Sequence, residues 1–403
     1  MRYATIPAVA LTALMTVSSG AAWAANDTDD EIIVGFATAK SGVLQAYDQP
    51  AERSAKIAIE EINQSGGLLG KQIGIVDADT KSDRNEGVKA GQAVVDAGAD
   101  IVVATCDYDY GAPAASVAQE EGLISFFLCA EDVKAGIEGI GPYAFSPSIL
   151  AAVQGATMAE WGAKERGIKT GYVLVDTSID YNKSVCYGFD WMFPKVGGKI
   201  VGRDTFRNDD PSIATQVTRI KSLPQPPDVI MLCSHNPGSA AAIKQIRAAG
   251  IDVPIYGGST NDGNYWLDAV GGELSDFAVP VQGSIYGDDP NPKVEAFNKK
   301  FEAKYGTRPS SQYAYPGYVL IEVWAKAVER AGTTETEAVV AELEKMRNEP
   351  TLVGPRTFTD ELHHQNTGRY LIAEVTGGDW KIVDEWTISE PVPMEILFSG
   401  VQN

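Results

Sequence analysis

The chain has 403 residues, of which 44% are hydrophobic and 22% charged, and a formal charge of −21. That length suits two domains of ordinary size, each able to bury its own core, and the balance of residue types excludes a fibrous or disordered chain. The excess of carboxylates repels phosphate backbones and anionic lipid, which argues against nucleic acid and membrane surfaces as partners.

The first 24 residues read as a secretory signal: one Arg, an apolar run over residues 4–17, and small residues ending Ala22-Trp23-Ala24. The run is too short to span a bilayer, so cleavage near Ala24 and export are expected. No cysteine stands at the cleavage point to carry a lipid, and no later run reaches membrane-spanning length, so no membrane insertion is expected. Four cysteines, Cys106, Cys129, Cys186 and Cys233, are an even count that permits disulfides in an exported chain. Cys106 and Cys129 each follow a predicted strand, one helix apart. Adjacent parallel strands would place them within bridging distance, and two buried thiols are the alternative.

Past the signal, short apolar runs alternate with segments of helical period. Strand 31–37 is followed by a helix over 50–67 that stops at Gly66-Gly67, then strand 72–79, helix 84–99, strand 100–105, helix 112–122 and strand 123–128. A second run of the same kind follows: helix 149–166, strand 170–176, helix 181–196, strand 198–206, helix 211–222, strand 227–233, helix 237–249 and strand 253–258. Strict alternation argues for right-handed crossovers and parallel sheets covered on both faces. Segments 277–287 and 351–358 interrupt the pattern, three amphipathic helices lie over 290–306, 311–332 and 335–348, and two strand-like runs at 368–375 and 380–388 close the chain.

Ligands of open parallel sheets bind beyond the carboxyl ends of the strands. Four polar loops stand at such ends: "CDYDYG" from Cys106, "VDTSIDY" ending at Tyr181, "CSHNPGS" around His235, and "GGSTNDG" around Ser259.

The segments "VGFATAKSG" with Tyr47, "AKIAIEEINQSGGLLGKQI", "EGVKAGQAVVDAGADIVVATC", "AQEEGLISF", "PDVIMLCSHNPGSAAAIKQIRAAGIDVPIYGG" and "YAYPGYVLIEVWAKAVERAG" together resemble the periplasmic solute-binding proteins of ABC importers, of the leucine/isoleucine/valine-binding type. The resemblance covers nearly all of the chain after the signal. It implies an α/β fold of two doubly wound parallel-sheet lobes joined by three crossing segments, the type I periplasmic binding protein, which closes around a ligand by hinge motion. It places lobe one at 31–147 plus 281–356 and lobe two at 148–280 plus 357–403, with crossings near Pro147, 279–283 and 354–358. The implied role is a periplasmic receptor, monomeric and without cofactor. It takes up a small polar molecule, an amino acid or a related amine or amide, and passes it to an ABC permease in the inner membrane.

The ligand positions implied by the resemblance are Tyr47 after the first strand, then Cys106, Asp107, Tyr108 and Asp109, then Cys129, Ala130 and Glu131, with Tyr181 and His235 from the second lobe. Amino-acid-binding members carry an acid just after the strand equivalent to "PIYGG", where it pairs with the ligand ammonium; here Ser259 stands there. Asp107, Asp109, Glu131 and Asp262 add carboxylates elsewhere around the expected cleft. Either the amine has moved toward Glu131 or Asp107, or the ligand is not an α-amino acid. Tyr108 and Tyr110 offer rigid apolar faces with polar tips, while one of the two aspartates that alternate with them, Asp107 or Asp109, is expected to cap the following helix or face solvent.

Other signals are weaker. The histidines His235, His363 and His364 are too few and too scattered for a metal site. "SGGLLGK" is short of a phosphate loop and reads as a helix end and turn. Tyr313, Tyr315 and Tyr318 form a stripe that is mostly core, with Tyr318 or Tyr315 expected to reach the cleft. No nucleophile elbow or zinc-protease motif is present, so a binding protein is expected rather than an enzyme. A ligand-sensing subunit and a hydrolase on the same scaffold are the alternatives.

Overall fold

The computed structural model describes residue 1, residues 31–271 and residues 274–400; apart from Met1 the expected signal segment lies outside them. The chain begins with β1 (Glu31–Thr38), α1 (Gln45–Gln64), β2 (Gln72–Asp79), α2 (Arg84–Asp96), β3 (Ile101–Ala104), α3 (Tyr108–Glu120), β4 (Ile124–Phe127) and β5 (Ala144–Phe145). These strands form one parallel sheet in the order β2-β1-β3-β4-β5. In α1 the buried residues Ala51, Ala55, Ala58 and Ile59 repeat at helical spacing and turn one stripe toward the sheet. The helix stops where Gly66 and Gly67 take φ of +111° and +85°, and a Cβ on Gly67 would stand 2.0 Å from the Lys71 carbonyl oxygen.

The second unit continues with α4 (Ala151–Glu165), β6 (Thr170–Asp176), α5 (Asp180–Lys195), β7 (Lys199–Phe206), α6 (Ala214–Lys221), β8 (Val229–Cys233), α7 (Gly238–Ala248), β9 (Ile255–Gly257), α8 (Leu267–Val270) and β10 (Phe277–Val281). The chain then returns through α9 (Pro292–Tyr305), α10 (Ala314–Ala331) and α11 (Thr336–Leu343). Side chains of these helices, among them Phe297, Phe301, Leu320 and Trp324, share one core with Val34, Phe36, Ile101 and Phe126 of the first sheet. It ends with β11 (Arg369–Thr376), β12 (Asp379–Thr387) and α12 (Met394–Leu397). The second sheet runs β12-β11-β10-β9-β8-β6-β7.

The second sheet is parallel as expected except at one edge, where β11 pairs antiparallel with both β10 and β12. Gly377 and Gly378, at φ of +61° and +82°, form the two-residue turn between β11 and β12, and a loop that short can join only antiparallel strands.

The chain passes between the sheets after β5, after β10 and before β11, and one side chain joins all three passages. Arg356, buried, donates Nε to the Pro147 carbonyl at 2.5 Å and Nη2 to Gln282 Oε1 at 2.7 Å. Its remaining donor meets the carbonyls of Gly354 and Pro355.

Two helices start about a turn earlier than the sequence suggests: α1 at Gln45 and α3 at Tyr108, with Pro50 and Pro113 inside them. Pro113 has no N–H for the carbonyl of Asp109, and that carbonyl instead accepts from Arg84 Nε at 2.8 Å. Cys106 and Cys129, just past the ends of the adjacent strands β3 and β4, are bridged with their Cα atoms 4.4 Å apart. A second bridge joins Cys186 of α5 to Cys233 at the end of β8. Among the described residues no helix is long and apolar enough to cross a membrane.

Candidate functional site

The carboxyl ends of the two sheets face each other across a cavity with about 420 Å³ of atom-free space, part of it open to solvent. The first unit contributes Leu44 and Tyr47 near the start of α1, Cys106, Asp107 and Tyr108 between β3 and α3, Glu131 and Asp132 after β4, and Tyr313 before α10. The second contributes Ile179 and Tyr181 around the start of α5, His235 after β8 and Thr260 after β9. Each position follows a strand or opens a helix, where the backbone leaves the sheet and side chains are free to converge.

Glu131 is the centre of the contacts between the two units. Its carboxylate accepts from the Ser259 hydroxyl at 2.9 and 3.1 Å and from the Tyr313 hydroxyl at 3.0 Å. Burial pushes its carboxyl up to about 7, against the pull of the Gln154 side chain and of those hydroxyl donors. Ser259 itself is held by its own N–H on Gln154 Oε1, which also accepts from the Tyr181 hydroxyl. Ser259, which stands where the amino-acid-binding members carry an acid after "PIYGG", is thus in contact with a carboxylate from the opposite side of the cleft.

Asp107 caps α3, its carboxylate accepting from the Tyr110 N–H at 3.2 Å. It is 8% exposed, and burial together with the neighbouring Asp109, Asp132 and Asp48 holds its carboxyl well above the usual range. Asp132, a lining residue that the sequence did not single out, accepts from the Ser184 hydroxyl at 2.6 Å and is also pushed up by burial. Tyr47 reaches across to Asn236, whose N–H donates to its hydroxyl at 3.2 Å, and its ring stands edge-on to that of Tyr313 at 5.9 Å. The His235 ring lies 3.2 Å from Asn182 Nδ2 and 3.6 Å from the Asp176 carboxylate; burial pulls its pKa down although Asp176 opposes this.

Several expected site residues stand elsewhere. Asp109 points away from the cavity, pairs with Arg84 at 2.8 Å, and accepts the Asp180 N–H across the cleft at 3.0 Å. Beside it the Lys134 ammonium pairs with Asp180. Cys129 and Ala130 lie behind the lining, the Ala130 carbonyl accepting from Ser146 at 2.6 Å. Asp262 is engaged by the Tyr286 hydroxyl and by the Gln312 N–H at 2.6 Å, and so fixes the loop that leads into α10. Of the three tyrosines at the start of α10, Tyr313 reaches the cavity. Tyr315 donates to the Ser284 carbonyl at 2.7 Å, and Tyr318 turns outward to Glu61 at 2.7 Å. His363 and His364 do not line the cavity: His363 stacks on Phe145 with ring centres 3.7 Å apart, and His364 is buried beside Gly136. Among the described residues no group of three or more His, Cys, Asp or Glu side chains is arranged to hold a metal ion.

A family model described as periplasmic binding protein matches residues 31–379. Among characterised relatives, the chain is 25% identical over 339 residues to Leu/Ile/Val-binding protein homolog 3 of Brucella melitensis, covering 82% of this chain and 88% of that protein. It is 24% identical over 314 residues to a leucine-, isoleucine-, valine-, threonine- and alanine-binding protein of Pseudomonas aeruginosa, covering 78% and 82%. Among solved structures, the fold superposes at a TM-score of 0.78 on the branched-chain amino acid transporter substrate-binding protein LivJ of Streptococcus pneumoniae in complex with isoleucine. That match has 24% identity and covers 89% of this chain and 99% of the other. A solute-binding protein of an ABC transporter from Rhodopseudomonas palustris BisB5, in complex with 3,4-dihydroxybenzoic acid, matches at 0.74 with 19% identity, covering 90% and 99%.

Proposed function

The chain belongs to the periplasmic binding protein family, with the type I fold, and from that premise we propose that it is the solute receptor of an ABC importer. It captures a small polar molecule, an amino acid or a related amine or amide, between its lobes and delivers it to a permease in the inner membrane. The receptor works in the periplasm after cleavage near Ala24, as a monomer, and its chemistry is binding without a covalent step.

The observation that carries this reading is a cavity lined from both lobes, with hydrogen bonds that cross it. A ligand seated there touches Glu131 and Asp107 on one side and Tyr181 and His235 on the other. Only contacts to both lobes give a ligand differential affinity for the closed form, which is what couples capture to closure. Three passages tied at Arg356 are a suitable hinge, since a few segment-terminal residues can absorb the backbone rotation.

The test is a thermal-shift screen of the mature protein, unfolded and refolded to strip carried ligand, against amino acids, amines, amides and aromatic acids. A ligand at about 100 times its Kd adds about 2.7 kcal/mol, enough to move the melting point visibly. A flat response across all four classes would refute the receptor reading.

A further inference from the structure

We propose that the ligand is an organic cation without a carboxylate of its own, an amine or quaternary ammonium compound, whose charged head lies between Asp107 and Glu131 against tyrosine faces. The proposal rests on the reading that this cavity is the ligand site.

The lining contains three carboxylates, those of Asp107, Glu131 and Asp132, and no Lys or Arg. Two cations of the surrounding segments are paired with other acids, Arg84 with Asp109 and Lys134 with Asp180. Carboxylates taken out of water need a compensating charge, and the protein supplies none inside the cavity. Asp107 shows this most sharply. It is 8% exposed, and among the described residues its carboxylate accepts a single hydrogen bond, from Tyr110 N–H, so one oxygen is left for a donor from outside the chain. Among the described residues Glu131 is met by neutral groups, the hydroxyls of Ser259 and Tyr313 and the side chain of Gln154, which stabilise a carboxylate less than an ammonium does.

The same geometry disfavours an anionic group. A ligand carboxylate would naturally sit at the N-terminus of α3, where backbone N–H groups point outward. Asp107 occupies that terminus with its own carboxylate, so a second one would meet like charge at close range. The remaining lining suits a cation: the rings of Tyr47, Tyr108, Tyr181 and Tyr313 all border the cavity, and tyrosine faces attract ammonium groups. The Lys134 ammonium already stands over the Tyr108 ring at 5.4 Å, so the faces left for a ligand cation are those of Tyr47, Tyr181 and Tyr313.

The experiment compares molecules of one carbon skeleton by titration calorimetry on the refolded mature protein: 3-methylbutylamine, leucine and 4-methylpentanoate, with choline, putrescine and isobutyramide beside them. The expected result is binding of at least one of the three carboxylate-free cations, tenfold or more tighter than leucine, with no heat from 4-methylpentanoate or isobutyramide. Asp107→Asn and Glu131→Gln should each weaken the cation tenfold or more, and Asn keeps the helix cap, so a folded Asp107→Asn protein is available even if Glu131→Gln is not. Leucine, 4-methylpentanoate or isobutyramide binding as tightly as the best cation overturns the proposal and leaves the receptor reading standing. No binding by any of the six, together with a flat thermal-shift screen, overturns both.

Discussion

Replacing Glu131 by Gln tests whether this carboxylate is held in the fold against its own solvation. Burial raises its pKa from 4.5 to about 7, and among the described residues it has no cationic partner; the groups that face it are the side chain of Gln154, the hydroxyls of Ser259 and Tyr313 and, within its field, Tyr181 and Tyr370. A carboxyl whose pKa is higher folded than unfolded contributes stability that is complete below pH 4.5 and is lost as pH rises through about 7. Between pH 5 and pH 8 the loss from this one group is about 2–3 kcal/mol. Asp48, pushed up to about 7, and Asp262, pushed up to about 6, act in the same direction and are unchanged in the variant. The stability of Glu131→Gln relative to the parent should therefore rise by about 2–3 kcal/mol on going from pH 5 to pH 8. Urea unfolding of both ligand-free proteins at the two pH values measures this directly. A difference that stays constant within about 0.5 kcal/mol would show that the carboxylate is not buried without compensation and would remove the argument for a cationic ligand.

Arg356→Met leaves the Pro147 carbonyl and Gln282 without their donor at the junction of the three passages, and a loss of about 2–4 kcal/mol in urea unfolding is expected. A cost below about 0.5 kcal/mol would mean that the tie is not structural. Replacing both Cys186 and Cys233 by Ala opens a closed loop of sequence separation 47 and should cost about 4 kcal/mol on the chain-entropy account. An unchanged melting point under non-reducing conditions would count against it. Asp109→Ala removes the acceptor of the Asp180 N–H and the partner of Arg84. A larger radius of gyration without ligand in small-angle scattering, with stability within about 1 kcal/mol of the parent, is the expected outcome, and an identical scattering curve speaks against a clasp at this point.

Much of the fold is legible because its strands are short, buried on both faces and bounded by turn residues. The run that forms β6 is read to the residue for that reason, and β2 is read to the residue as well, although it is an edge strand in which Ile73 alone is buried. Helix starts are less legible. Pro50 and Pro113 look like first-turn residues, yet each lies inside a helix, because α3 gains a cap from Asp107 and Arg84 takes up the carbonyl that Pro113 leaves free. That shift of about one turn decides which aspartate of "CDYDY" faces the cavity: capping turns Asp107 inward, and Asp109, two residues on, points to Arg84 and the opposite lobe. Pairing direction is also hidden in an alternating pattern, so the antiparallel edge of the second sheet had to be seen, although Gly377-Gly378 signals the hairpin. Asp132 lies in the same loop after β4 as Glu131, one residue beyond the positions the resemblance points to, and Tyr313 reads as core because only the packing at the start of α10 turns it toward the cavity.

The contacts around the cavity also bear on how closure is set. Several pairs made by the protein alone cross the cleft, among them Tyr47 with Asn236, Asp109 with the Asp180 N–H, Lys134 with Asp180, Asp132 with Ser184, and Glu131 with Ser259. Each stabilises the closed form whatever is bound, by about 1 kcal/mol or less where water competes for the same groups. A ligand shifts the equilibrium only by what it adds to these pairs, and if it displaces one it must return at least as much. Glu131 is where the two roles collide. An ammonium that takes this carboxylate competes with Ser259 and Tyr313 for its lone pairs, and a carboxylate has about four acceptor sites, enough for one further donor beside the two hydroxyls. The cation can therefore join the pair without breaking it, and closure and charge compensation are then the same event.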